Sequence, residues 1–467
     1  MKKIALIPID NRPVCYTLPK MIADINEDVQ LLLPNRKILG SLTQNANINA
    51  LFEWLDEIKK VDFIVICADT LLYGGLIPSR RSSDTKEILE QRILKLRNIL
   101  LKKNSCKTFL FSSIMRISNN NINEEEKEYW SNWGEKIFAY SYNLHRFEIE
   151  GDSSAKQLAK DLAKEIPNDI LIDWLTTRER NFSINKMLLK LYDDKIIDTL
   201  VYSKDDCAKY GFNVKEAKFL EYEAEKRQNV FVKTGADEIP LTLLSRCISY
   251  NTKIKIAPIY TNPNTINEIS KYEDISVENS VKSQILTAGA EISTPENADL
   301  IMYVNNFKNH QGEIVMDIET ENFSGTIQTF NKPFFVIDIL NANGADNNFI
   351  KKLKEKINLN NFYGYSAWNT TGNSLGGGIA AAISKFLSKK INEEAFEKLQ
   401  VIRFLDDWAY QANIRQIIKS QNIQNQQQIK ELFKPYENEI KNFLKNKDYE
   451  IKYSFPWNRY FEIEIEI

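Results

Sequence analysis

Over the first 265 residues, short apolar runs alternate with amphipathic stretches, the pattern of β–α units feeding a parallel sheet. Lys3–Pro8, Val29–Leu33, Phe63–Ala68, Thr108–Ser112, Ile170–Asp173, Thr199–Tyr202, Val230–Lys233 and Ile254–Pro258 read as strands. Asn49–Lys60, Asp84–Lys103 and Val214–Gln228 read as helices between them. About eight strands over a span near 250 residues predict a (β/α)8 TIM-like barrel. An open doubly wound sheet is the competitor, because short buried runs do not reveal closure.

From residue 266 a second α/β pattern begins. It comprises a helix at Val281–Leu286, strands at Leu300–Val304 and Phe334–Leu340, a helix near Asn348–Lys356, a strand at Phe362–Ser366 and a helix through Ala380–Ser388. A polar, helix-rich section covers 392–447, and its Gln/Asn tract at 421–428 reads as a solvated loop or helix end. The final alternation, EIEIEI, predicts a hairpin or edge strand. The expected organisation is therefore a barrel over 1–265 carrying the site, and a C-terminal α/β domain over 266–467 closing over it.

Composition narrows the chemistry. The 467 residues carry 61 Lys+Arg against 63 Asp+Glu, a net charge of -2, without the basic arm of a nucleic-acid or membrane-surface protein. No apolar run approaches the roughly 18 residues of a membrane span. The apolar start MKKIALIPID stops at Asp10, so it reads as a first strand and not a signal peptide. Five scattered cysteines without a CxxC pair suit reduced thiols in a cytoplasmic protein. Only His145 and His310 are present, which disfavours zinc sites and His-based triads. The chemistry is expected to rest on carboxylates, with no cofactor.

Polar residues collect after the expected strands. Asp10, Asn11 and Arg12 follow the first, and Asp69 to Gly75 with Tyr73 follow the third. Asp173, Trp174, Arg178, Arg180 and Asn181 follow the fifth. Lys204, Asp205, Asp206 and Tyr210 follow the sixth, Thr234 to Glu238 the seventh, and Tyr260 to Asn262 the eighth. Strand C-terminal ends share one face in parallel α/β folds, so these clusters are expected to converge. Singly, each also serves as a turn or helix cap.

Asp205 and Asp206 are the expected acid and stabilising carboxylates of a glycosidase-like pair, with Asp237 and Glu238 in reserve. Asp10, Asn11, Arg12, Asp69, Tyr73, Arg178, Asn181 and Tyr210 are expected to bind a small carbohydrate. In the second half, Asn343 lies in a strand-ending polar turn. Trp368, Asn369 and Asn373 open a glycine-rich helix that lacks a P-loop lysine, and they suit a stacked sugar ring held by amides. The same glycines also suit close helix–sheet packing. Two other readings stay open: an Mg²⁺, Mn²⁺ or Ca²⁺ hydrolase using Asp69, Asp205, Asp237 or Asp346, and a non-catalytic carbohydrate or metabolite binder.

The segments DNRPV, ADTLLYGGLIPSR, RERN, KDDCAKYG, TGADE, NANGAD and WNTTGNSLG together resemble the domain of unknown function 4127 family, over nearly the whole chain. The resemblance implies that both halves work as one unit. It supplies grouping and no mechanism.

Overall fold

The computed structural model describes every residue except Asp206 and Cys207. Six strands build the first sheet: β1 (Lys2–Ile7), β2 (Val29–Leu32), β3 (Phe63–Cys67), β4 (Lys107–Ile114), β5 (Thr199–Lys204) and β6 (Val230–Thr234). They lie in the order β2-β1-β3-β4-β5-β6, and the pairs from β1 through β6 are parallel. Runs such as Phe63–Cys67 are buried at every position. A strand covered on both faces demands such continuous apolarity.

The next strands belong to a second sheet. These are β7 (Lys255–Tyr260), β8 (Glu291–Ile292), β9 (Leu300–Asn305), β11 (Phe334–Asp338) and β13 (Phe362–Ser366), in the order β13-β11-β9-β7-β8, again parallel. The two-residue strands β10 (Gly312–Glu313) and β12 (Asn341–Ala342) pair separately, and β14 (Lys452–Ser454) with β15 (Glu464–Glu466) forms the expected terminal hairpin.

The expected barrel is therefore corrected to two open sheets. Among the described residues β2 and β6 are edges, so the first sheet does not close, and the eighth expected strand, near Ile254–Pro258, is the first strand of the other sheet. Buried strands of a barrel and of an open sheet carry the same apolar runs, so the sequence pattern does not distinguish them. Numbered by their own strands, the sheets run 2-1-3-4-5-6 and 2-1-3-4-5, the flavodoxin-like doubly wound order. Ligands of such sheets bind beyond the strand C-terminal ends, at the switch point between the first and third strands.

Ile170–Asp173 is a second correction. It lies inside a 26-residue helix, Asn168–Asp193, whose buried positions include Leu171, Trp174, Arg178 and Asn181. Three consecutive apolar residues, Ile170, Leu171 and Ile172, look like a short strand, although only Leu171 is buried. Asp173, Trp174, Arg178, Arg180 and Asn181 are consequently helical and follow no strand.

The chain divides into two compact units. The first comprises Lys3–Asn11 and Leu32–Ile239, the second Met1–Lys2, Arg12–Leu31 and Pro240–Ile467. The expected boundary near 265 falls inside the second unit. Among the described residues, no helix is long and apolar enough to cross a membrane.

Candidate functional site

In the first unit, parallel pairing places the residues after β1, β3, β4, β5 and β6 along one edge. Neighbouring strands are about 4.8 Å apart, so an open sheet strings these residues out where a barrel would gather them in a ring. At the switch point β3 passes directly into the short helix Ala68–Tyr73. Thr70 Oγ1 donates to the Ile9 carbonyl at 2.6 Å, tying the end of β3 to that of β1. Gly74 and Gly75, at φ +93° and +142°, let the chain turn at once into the helix Leu76–Arg81, a left-handed step that side chains resist.

Asp69 sits in that first helix and is 2% exposed. Its Oδ2 accepts from the Ser113 N–H of β4 at 2.8 Å. Burial pushes its carboxyl from 3.8 up to about 7, against the opposing pull of the Ser113 hydrogen bond and Arg80. Asp10, after β1, is also buried. Asn11 is fastened through its backbone, donating to Gly40 O at 3.1 Å and accepting from Arg36 Nε at 2.8 Å.

Past β4 stands a charged network that sequence reasoning passes over. Arg116 reaches Glu126 Oε1 through Nε at 3.1 Å, Glu125 Oε2 through Nη2 at 3.1 Å and Asp205 Oδ2 through Nη1 at 3.4 Å. Glu126 also takes Arg80 Nη1 at 2.7 Å, with both side chains almost enclosed. The signal lay in RISNNNINEEE, the polar run following the fourth strand. Its length makes it look like a plain loop.

The remaining expected residues of this unit have assorted settings. Asp206 lies outside the described residues. Asp237 is half-buried. Glu238 is fully buried and folds back over Gly235, whose φ of +100° and missing Cβ make the room. Tyr73 is buried beneath the Arg180 guanidinium, 5.5 Å above its ring. Arg178 donates to Met115 O at 2.8 Å and pairs with Glu216, and Asn181 Nδ2 donates to Ser79 O at 2.9 Å. These two fasten the long helix to its neighbours. Tyr210 bonds Glu150, with His145 packed edge-on beside its ring.

A cleft of about 570 Å³, lined by Lys103, Lys107, Tyr192, Asp198 and Asn229 among others, lies at the opposite edge, where β4 and β5 begin. Ligands of doubly wound sheets bind at the other edge.

The second unit has its own strand-end cluster. Asp338 closes β11, and its carboxylate accepts from Asn305 Nδ2 at 2.8 Å, Asp346 N at 2.9 Å and Tyr365 Oη at 3.2 Å. Burial and then the Asp346 charge push its carboxyl upward. Asp346 caps the helix Asn347–Lys356. Asn343 and Asn369 are brought together, the N–H of one donating to the carbonyl of the other at 2.7 Å, both at left-handed φ near +60°. Trp368 is 3% exposed and makes a T-shaped contact with Phe461, so the ring expected for sugar stacking is enclosed by protein. Arg12 lies over the Trp457 ring at 5.2 Å.

An 11-residue π-helix, Phe404–Ile414, carries Asp406 and Asp407 into the interior, both paired with Arg403 at 2.9 and 3.1 Å. Such helices are rare and concentrate at functional positions. Beside it a cavity of about 20 Å³, lined by Trp368, Arg403, Asp406 and Glu462 among others, has room for a single water. The adjacent aspartates in RFLDDW are the sequence signal for this feature. Among the described residues, no three His, Cys, Asp or Glu side chains gather as a metal-ligand set.

The chain is built on two open, doubly wound α/β sheets with polar residues at their strand ends. The chain matches the family described as "Protein of unknown function (DUF4127)" over residues 4–466 and belongs to it. No curated protein and no solved structure matches it.

Proposed function

We propose that the protein is a glycoside hydrolase-like enzyme for a small hydroxylated substrate, with Asp69 holding the proton and Asp205 the charge. One observation carries the reading: two carboxyl groups on one strand edge stand in unlike environments. Asp69 is enclosed and raised to about 7, whereas Asp205 faces the Arg116 guanidinium. Placing two carboxyl groups in unlike surroundings is how one site supplies both acid and base. Asp69 and Asp205 follow strands two places apart, so their backbones stand about 10 Å from each other.

In this scheme Asp69 protonates the leaving oxygen as the C–O bond breaks. Asp205 takes a proton from the water attacking the anomeric carbon, so one water is consumed and both carboxyl groups are restored by proton exchange. Asp10 and Asn11, beside the switch point, bind hydroxyls. The test is release of aryl alcohol from a panel of aryl glycosides. Asp69→Asn and Asp205→Asn should each abolish turnover while retaining the wild-type circular dichroism spectrum. Full activity in both variants overturns the assignment.

A second reading, a non-catalytic carbohydrate or metabolite binder, is favoured by the near-complete enclosure of Asp69. It predicts ligand binding that survives both substitutions and no product after long incubation.

A further inference from the structure

We propose that the start of the helix Thr371–Phe386, in the second unit, is a binding site for a hydroxylated anion, occupied in this state by the chain's own Glu273. The inference is independent of Asp69 and Asp205. The first N–H groups of a helix lack partners within it and favour negative charge. Here Gly372 N–H donates to Glu273 Oε1 at 2.9 Å, and the other carboxylate oxygen accepts from Ser280 Oγ at 3.4 Å. A carboxylate from a distant turn stands where a ligand's anionic group would sit.

That turn is the tip of a small finger closed by a bridge between Ile269 and Ser276, with Glu273 N–H donating to Ser270 O at 3.2 Å. Tyr272, just before Glu273, has a φ of +67°, a conformation that bulky side chains resist.

The pointer to a ligand is a separate one. Asn373, in the first turn of the same helix, is 9% exposed, and its Nδ2 donates to the N-cap hydroxyl Thr370 Oγ1 at 3.1 Å. This folds the amide over the helix start, yet its Oδ1 has no hydrogen-bond partner. Ser270 Oγ, equally enclosed on the turn that carries Glu273, has none either. Buried polar atoms are normally satisfied, and leaving one unmet is unfavourable. Glu273 supplies the anion and leaves the donor for Asn373 missing. A carboxylate or phosphate with an adjacent hydroxyl supplies both: the anion replaces Glu273 on Gly372 N–H, and the hydroxyl donates to Asn373 Oδ1. As Glu273 withdraws, the turn at Tyr272 is free to relax.

The experiment uses the full chain, labelled with ¹⁵N-glycine, and gluconate, inorganic phosphate and acetate as probes. The Gly372 amide is assigned by its loss in Gly372→Ala. Removing the internal competitor in Glu273→Ala should tighten gluconate binding at Gly372 by about tenfold or more, the worth of one charged hydrogen bond. Adding Asn373→Ala should weaken gluconate again and leave acetate unchanged. Glu273→Gln, which still accepts from Gly372, should fall between wild type and Glu273→Ala and serves if the alanine variant does not fold. A folded Glu273 variant with no response of Gly372 to gluconate or phosphate at millimolar concentration overturns the proposal and leaves Glu273 as a helix cap. Equal affinity for acetate and gluconate overturns its hydroxyl half.

Discussion

Asp69→Asn isolates the energetic consequence of burying a carboxyl group at the switch point. In the folded chain burial raises this group from 3.8 to about 7, while in the unfolded chain it returns to the lower value. Below pH 4 both states hold the proton and the group contributes no pH dependence. As pH rises from about 4 to about 7, the unfolded state loses its proton and the folded state keeps it, so wild-type stability falls at about 1.4 kcal/mol per pH unit. Above 7 both states are ionised and the difference levels off at about 4 kcal/mol. Asparagine does not titrate, and its Oδ1 still accepts from the Ser113 N–H. The stability of Asp69→Asn relative to wild type should therefore climb between pH 5 and 7 and flatten by pH 8. Urea unfolding at each pH, followed by circular dichroism, measures that difference. A difference independent of pH means Asp69 is ionised in the folded state, and the reasoning fails along with its role as proton donor.

Two further perturbations probe the second unit. Arg403→Met removes the guanidinium that pairs with both buried Asp406 and Asp407, and should cost about 3–5 kcal/mol; an unchanged melting temperature would show that these ion pairs do not hold the π-helix in place. Gly378→Ala drives a methyl group onto Ile337 Cδ1, a loss of about 1–3 kcal/mol. Adding Ile337→Val, which lacks that carbon, should recover most of it, and no recovery would place the strain elsewhere in the helix.

The strands were legible because a parallel strand covered on both faces has to be continuously apolar. Phe63–Ala68 and Leu300–Val304 were located within a residue of β3 and β9 for that reason. The same uniformity hid what joins the strands: closure depends on which edges pair, and the side chains of β2 and β6 carry no mark of it. Ile170–Asp173 failed for a related reason, since three apolar residues in a row within the helix Asn168–Asp193 read as a strand although only Leu171 among them is buried. The glycines of TGNSLGGG were read two ways, and Gly378 against Ile337 supports the packing one. At the strand ends, Asp69 was visible as a polar residue after an apolar run, but its proton affinity depends on enclosure, which no local pattern encodes. Arg116, Glu125 and Glu126 were hidden in plain polarity, because the partners that give them meaning lie up to 89 residues away, at Asp205.

The composition of the second unit bears on how the chain is made. Its segment Arg12–Leu31 leaves the ribosome before residues 32–239, while most of its companions begin only at Pro240. At synthesis rates of about 5–20 residues per second, the early segment waits many seconds for the rest. The first unit is complete once Ile239 has emerged, so it can fold on the nascent chain. Throughout that interval the helix Thr17–Asp24 has its apolar side, including Leu18, Ile22 and Ala23, without its final cover. Translation speed over residues 32–239, and holdase chaperones able to shield that helix, become determinants of yield.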